Sequence, residues 1–131
     1  MASTSTSRVR SSLAFVAAAA MVLALAGTAD ASPTGRAPTV IRGIASYYGS
    51  PHWSPKTTRV STGTTIEWRA VSGDHYIVAY GGHWTYHHSL PTGSSVTRRF
   101  RSAGTFLFRC RLHSSIVNGS CQGMCGKIVV S

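Results

Sequence analysis

Four side chains in this sequence combine type and order in a way that implies chemistry: His75, Cys110, His113 and Met124. They are two imidazoles, one thiol that can ionise and one thioether, which together make a soft donor set. Two imidazoles and a thiolate can form a trigonal plane around copper while a methionine sulfur makes a weak axial contact. Zinc sites are built from cysteine, histidine and carboxylates, not methionine. The spacing also has a mechanical reading. Cys110 is expected to end a strand, His113 to lie in the turn after it and Met124 to precede the next strand, so that one loop delivers three donors. His75 must then come from the end of a neighbouring strand.

Donors so far apart in sequence need a rigid frame to bring them together. From residue 39 onward the chain shows short alternating segments and no run at helical period, a pattern that reads as all-β. Seven strands are expected, at Thr39 to Ser46, Lys56 to Val60, Thr64 to Val71, Tyr76 to Tyr80, Ser94 to Arg101, Thr105 to Arg111 and Lys127 to Val130, a number that suits a sandwich. Turn signals separate them, among them Ser61-Thr62-Gly63 and Ser72-Gly73-Asp74. Ile66 and Trp68 share one face of their strand while Thr65, Glu67 and Arg69 share the other, as a half-buried strand requires. Trp53, Trp68, Phe100, Phe106 and Phe108 are expected to fill the core. Gly81 to Gly93 and Leu112 to Gly126 lack strand character and are expected to be the loops that carry function.

The chain has 131 residues. Arg8 and Arg10 precede an apolar run from Leu13 to Gly27, followed by Ala29-Asp30-Ala31, so residues 1–31 read as a secretory signal peptide. The run is shorter than the about 20 residues a membrane span needs, and no later stretch is longer, so no transmembrane segment is expected in the mature chain. Residues 32–38 read as a flexible lead-in and residues 39–131 as one domain. An extracytoplasmic protein, in the periplasm or outside the cell envelope, is expected. Without Arg8, Arg10 and Asp30, eleven basic side chains face two acids, Glu67 and Asp74. An exported basic domain is not expected to meet nucleic acid; its counterparts would be acidic protein surfaces or an anionic polymer or membrane face.

Three cysteines in an oxidising compartment imply one disulfide and one thiol with a separate duty. Cys121 and Cys125 bracket Met124. Their plain reading is a disulfide, which needs a tight irregular turn that Gly119 and Gly123 permit; a second metal thiolate is the alternative. His52, His83, His87 and His88 receive no role. Two acids make a poor basis for a carboxylate-pair hydrolase, and no enzyme activity is expected.

Several segments together resemble the cupredoxins, the small blue copper proteins, and most closely their plastocyanin and pseudoazurin branch. They are Trp53-Ser-Pro55, Thr62-Gly-Thr-Thr-Ile-Glu-Trp68, Asp74-His75, Ala103-Gly-Thr-Phe-Leu-Phe-Arg-Cys-Arg-Leu-His113 and Gly123-Met-Cys-Gly-Lys-Ile-Val-Val130. The resemblance implies a Greek-key β-sandwich of seven or eight strands holding one mononuclear type 1 copper ion, with His75, Cys110, His113 and Met124 in the ligand positions. It also implies a one-electron carrier between redox proteins; the chain is expected to be a monomer, and its basic charge calls for acidic docking surfaces on those partners. A module that buffers or delivers copper without cycling is the alternative. Two features depart from the family: ten residues separate His113 from Met124, more than the few usual in that branch, and Tyr76 stands where many relatives carry an asparagine that ties the ligand loops together. Support for the site must therefore come from elsewhere.

Overall fold

A computed structural model describes residues 35–46 and 48–131. The expected signal peptide and residues 32–34 of the lead-in lie outside the described residues. Among the described residues nine strands follow one another: β1 Thr39–Ile44, β2 His52–Ser54, β3 Thr57–Val60, β4 Thr65–Ser72, β5 His75–Tyr80, β6 His87–Leu90, β7 Ser95–Arg99, β8 Gly104–Val117 and β9 Ser120–Val130. They form a four-stranded sheet in the order β2-β1-β4-β7 and a five-stranded sheet in the order β3-β9-β8-β5-β6. The described residues contain no helix long and apolar enough to cross a membrane.

Alternation explains the sandwich. Along β4, Ile66, Trp68 and Ala70 are buried while Arg69 and Val71 are exposed, so one face must be covered. The cover comes from the other sheet, which contributes Ile77, Phe108, Cys110, Met124 and Ile128 to the same cluster. Trp53, Trp68, Phe100 and Phe108 are buried there, and Phe106 packs partly buried against them. Trp68 meets Phe108 edge to face at 5.5 Å between ring centroids, a favoured aromatic geometry. β1 pairs parallel with β4 and β3 pairs parallel with β9, whereas the remaining pairs are antiparallel.

Two stretches expected to be loops are strands. His87–Leu90 pairs antiparallel with His75–Val78 at the edge of the larger sheet. Three of its four residues are exposed, so it lacks the apolar alternation that marks a strand in sequence. Leu112 to Gly126 is likewise no loop. β8 runs on to Val117 and β9 begins at Ser120, with Val117 paired to Ser120 across a two-residue turn. Asn118 and Gly119 occupy that turn with φ of 49° and 76°. Positive φ at both central positions matches the twist of the flanking strands, which is why Asn-Gly is the favoured pair there.

Candidate metal centre

The hairpin of β8 and β9 is interrupted once. Pairing runs from Gly104↔Val130 to Arg109↔Cys125 and resumes at Ser114↔Gly123. Between these runs the residues Cys110 to His113 stand opposite Met124 alone. The excess on β8 leaves the ladder locally unpaired and bends the strand, as extra residues in one strand do. A bulge within a hairpin, not a loop between strands, therefore carries Cys110 and His113 and faces Met124.

His75 arrives from the first residue of β5, the strand beside β8, where Ile77 pairs with Cys110. The donor atoms of His75, Cys110 and His113 all lie within 4.8 Å of one another, and no other group of three possible ligands converges in this way among the described residues. Cys110 Sγ is 3.8 Å from Nδ1 of His75 and 3.3 Å from Nδ1 of His113. Donor-to-metal lengths near 2.0 Å for nitrogen and 2.3 Å for sulfur place such donors about 3.5 to 3.8 Å apart around one ion. The triad therefore fits a single metal ion. His75 and Cys110 are buried, and His113 is half-buried, so the centre meets solvent at His113.

Backbone groups preset these donors. Nε2 of His75 faces the carbonyl of Ser72 at 3.0 Å, and a carbonyl only accepts, so the ring proton sits on Nε2 and Nδ1 keeps its lone pair toward Cys110. Burial holds the His75 imidazole below its ordinary range; the Ser72 bond opposes this and the charge of His113 adds to it. The backbone N–H of Tyr76 donates to Cys110 Sγ at 3.3 Å. Ser114 Oγ donates to the Cys110 carbonyl at 2.5 Å, and the Arg109 guanidinium donates to the Ser114 carbonyl at 3.2 Å and to its hydroxyl at 3.3 Å. Of these contacts, the Tyr76 N–H to Cys110 Sγ bond ties the His75 segment to the Cys110–His113 segment, and the Ser114 and Arg109 contacts brace the latter internally. Ser72 and Ser114 carry no sequence signal for the role, because the groups involved are a carbonyl and an ordinary hydroxyl.

Met124 is 1% exposed and lies in the core cluster with Cys110. Cys121 and Cys125, on either side of it, form a disulfide, and Cys110 is the free cysteine. Their Cα atoms are 6.1 Å apart. Four steps of extended strand would span about 13 Å, so the backbone contracts into a tight kink here, between two stretches that both pair antiparallel with β8. Gly123 makes this possible with φ of 94°; a Cβ there would also stand 2.5 Å from the carbonyl oxygen of His113.

None of the remaining histidines joins the centre. His52 bonds the Ser50 carbonyl at 3.0 Å, His88 the Ser89 carbonyl at 2.9 Å, and His87 the Tyr76 hydroxyl. The two acids are engaged separately. Glu67 pairs with Arg69 at 2.8 Å, and Asp74 accepts from the Thr92 backbone N–H at 2.8 Å.

No protein-family model matches the chain, and neither does the sequence of any curated protein. Solved structures do match. A reduced amicyanin variant aligns with a TM-score of 0.56 at 20% identity, covering 72% of this chain and 82% of its own. A purple cupredoxin from Nitrosopumilus maritimus aligns with a TM-score of 0.56 at 20% identity, covering 71% of this chain and 99% of its own. A copper-containing nitrite reductase from Thermus scotoductus SA-01 aligns with a TM-score of 0.57 at 18% identity over 72% of this chain, which spans only 22% of that enzyme. These likenesses show that the chain has the cupredoxin fold, two stacked sheets that bring His75, Cys110 and His113 together.

Proposed function

We propose that the chain binds one copper ion through His75 Nδ1, Cys110 Sγ, His113 Nδ1 and the Met124 sulfur, and that it carries single electrons between redox proteins outside the cytoplasm. The observation that carries this reading is the triad spacing, with Nδ1 of His75 left bare by the Ser72 bond. Bound in such a set, copper supplies a reversible one-electron couple between Cu(I) and Cu(II).

The chain's own residues supply the rest. The Tyr76 N–H stabilises negative charge on Cys110 Sγ, and the Ser114 hydroxyl fixes the Cys110 carbonyl, so the sulfur keeps its place as the charge of the site changes. Burial of His75, Cys110 and Met124 excludes water and leaves little room to reorganise. His113 is the half-buried side of the centre, flanked by exposed Leu112 and Arg111. A redox partner with an acidic rim would approach there, its carboxylates drawn by the basic surface. The Cys121–Cys125 disulfide suits an oxidising compartment. With four protein donors the centre offers no open position for a substrate, which favours a carrier over an enzyme.

Loading the chain with Cu(II) and recording its visible spectrum and voltammogram tests this reading. Intense thiolate-to-copper absorption with a reversible one-electron wave is the expected result. Strong absorption without a reversible wave would favour copper storage or delivery, and no thiolate absorption would overturn the assignment of Cys110.

A further inference from the structure

The outer half of the β8–β9 hairpin stands apart from the sandwich. β5 pairs with β8 only from Leu107 to Cys110, and β3 pairs with β9 only from Lys127 to Val130. Ser114 to Val117 and Ser120 to Gly123 therefore pair with each other alone, closed by Asn118 and Gly119. No residue of this arm from Ser114 to Gly123 is buried, and Ser115 to Ser120 are exposed. Two strands with no third beside them and no apolar cover are marginal in water, so the arm opens far more readily than the sandwich that carries it.

Its tip carries a reactive pair. Asn118 is the one asparagine of the chain, and Gly119 follows it. Among the described residues the Asn118 side-chain amide has no hydrogen-bond partner, and neither has the Gly119 N–H. A Cβ on Gly119 would meet nothing within 4 Å, so no neighbouring segment shields that nitrogen. Pairing of Val117 with Ser120 holds Asn118 at a φ of 49° in the closed turn. Once the arm opens, backbone rotation can bring the Gly119 nitrogen onto the side-chain carbonyl carbon of Asn118. Attack forms the N–Cγ bond of a five-membered succinimide and breaks the bond from Cγ to the amide nitrogen, which leaves as ammonia with the Gly119 proton. Water then opens the ring at one of its two carbonyls. Addition at the side-chain carbonyl gives aspartate; addition at the main-chain carbonyl gives isoaspartate, whose backbone runs through the former side chain.

We infer that Asn118 is a site of spontaneous deamidation in the folded protein, reached by local opening of the hairpin arm, with water as the only co-reactant. The two products differ in what they do to the arm. Aspartate keeps the turn, since Asp-Gly also suits positive φ at both central positions. Isoaspartate adds a carbon atom to the main chain, so the turn no longer sets Val117 opposite Ser120 and the register of the arm is lost. That arm begins at Ser114, whose hydroxyl holds the Cys110 carbonyl at 2.5 Å. Ageing of one exposed residue therefore reaches the support of Cys110. The inference does not depend on copper binding.

Incubation of the full chain at neutral pH, native and in guanidinium chloride, tests it, with mass spectrometry of the peptide that holds Asn118 and enzymatic detection of isoaspartate. The expected result is an amide-to-acid mass gain at Asn118, with isoaspartate among the products. The native chain is expected to react less than about a hundredfold more slowly than the unfolded one, because opening the arm takes only part of the global stability. Reaction through global unfolding alone would be slower by about a thousandfold or more, and any slowing beyond the hundredfold limit would overturn the inference. Ile128→Val, a change in the buried core, raises the globally unfolded fraction about fivefold and is expected to leave the Asn118 rate unchanged. A rate that rises in step with that fraction would place the reaction in the unfolded chain and overturn the inference. Gln122 carries the only other side-chain amide. Asn118→Asp is therefore expected to abolish the mass gain, and its persistence would overturn the assignment.

Discussion

Gly43 lies against the imidazole of His75 so closely that a Cβ on Gly43 would stand 2.6 Å from Cδ2 and 3.0 Å from Nε2 of that ring. The ring has little freedom to retreat. Trp53 packs on it at 5.4 Å between centroids, His113 at 5.3 Å, and Ser72 holds its Nε2. Gly43→Ala is therefore expected to push the imidazole off its position. Overpacking of this kind costs about 1 to 3 kcal/mol, to be read from denaturant midpoints of the copper-free chain. Copper affinity, measured by chelator competition, should fall at least about tenfold, because a displaced Nδ1 loses a bond that fixed geometry supplies. Unchanged affinity would show that His75 is not a ligand.

The four proposed ligands should differ in what their loss removes. Cys110→Ala should abolish the visible absorption altogether, since no other free thiol exists among the described residues. His113→Ala should leave the half-buried side of the centre open to water or added imidazole, which would restore part of the spectrum. Met124→Leu should keep copper and raise the reduction potential, because the axial thioether is the weak donor of the set.

The disulfide should matter more to the centre than to the fold. A bridge closing five residues removes little chain entropy, about 2 kcal/mol at most in the loop-closure description. Its local effect is larger, since Met124 sits inside the tight kink that the bridge clamps. Cys121→Ser with Cys125→Ser should lower the copper-free denaturation midpoint modestly, shift the reduction potential and slow electron self-exchange. Counting thiols in the unfolded, copper-free native sequence should give one reactive group, Cys110.

Residue chemistry made the centre legible and left its mounting obscure. His75, Cys110, His113 and Met124 stand out because few donor sets combine imidazole, thiolate and thioether. Core strands such as β4 stand out because Ile66, Trp68 and Ala70 alternate with polar neighbours. The hairpin arms do not. Ser114 to Val117 and Ser120 to Gly123 are mostly exposed and carry no apolar alternation, so Asn118-Gly119, a strong turn signal between patterned strands, had nothing beside it to read. The same holds for β6, whose pairing at a sheet edge needs backbone groups and not particular side chains. Gly43 was invisible for a different reason: its role is to be small where another chain segment passes, and that segment is 32 residues away in sequence.

Tyr86 supplies a pH test remote from the metal centre. Its ring stacks on Trp84 at 5.6 Å and on Trp68 at 5.4 Å, and its buried hydroxyl makes no hydrogen bond within the protein. Burial pushes the phenol above its usual range, with the Arg98 guanidinium opposing. The raised value means that the folded state favours the neutral phenol. Its contribution to stability is thus complete below the unfolded tyrosine range near pH 10 and fades as pH rises through the folded value. Spectrophotometric titration should show one tyrosine ionising later than the rest. Tyr86→Phe should remove that late step and leave stability at neutral pH within about 1 kcal/mol, since the hydroxyl it deletes has no partner to lose.

Cys110 and Met124 would serve two ends at once, because both are packed interior side chains of the sandwich as well as proposed donors of the centre. A small thiol and a flexible thioether behave as apolar filler when no ion is present. The cupredoxin fold can therefore assemble around them before any metal arrives, unlike small domains whose ligands gather only when an ion draws them together. Folding and metallation become separate events, and the order in which they occur is left to the supply of copper and not to the chain.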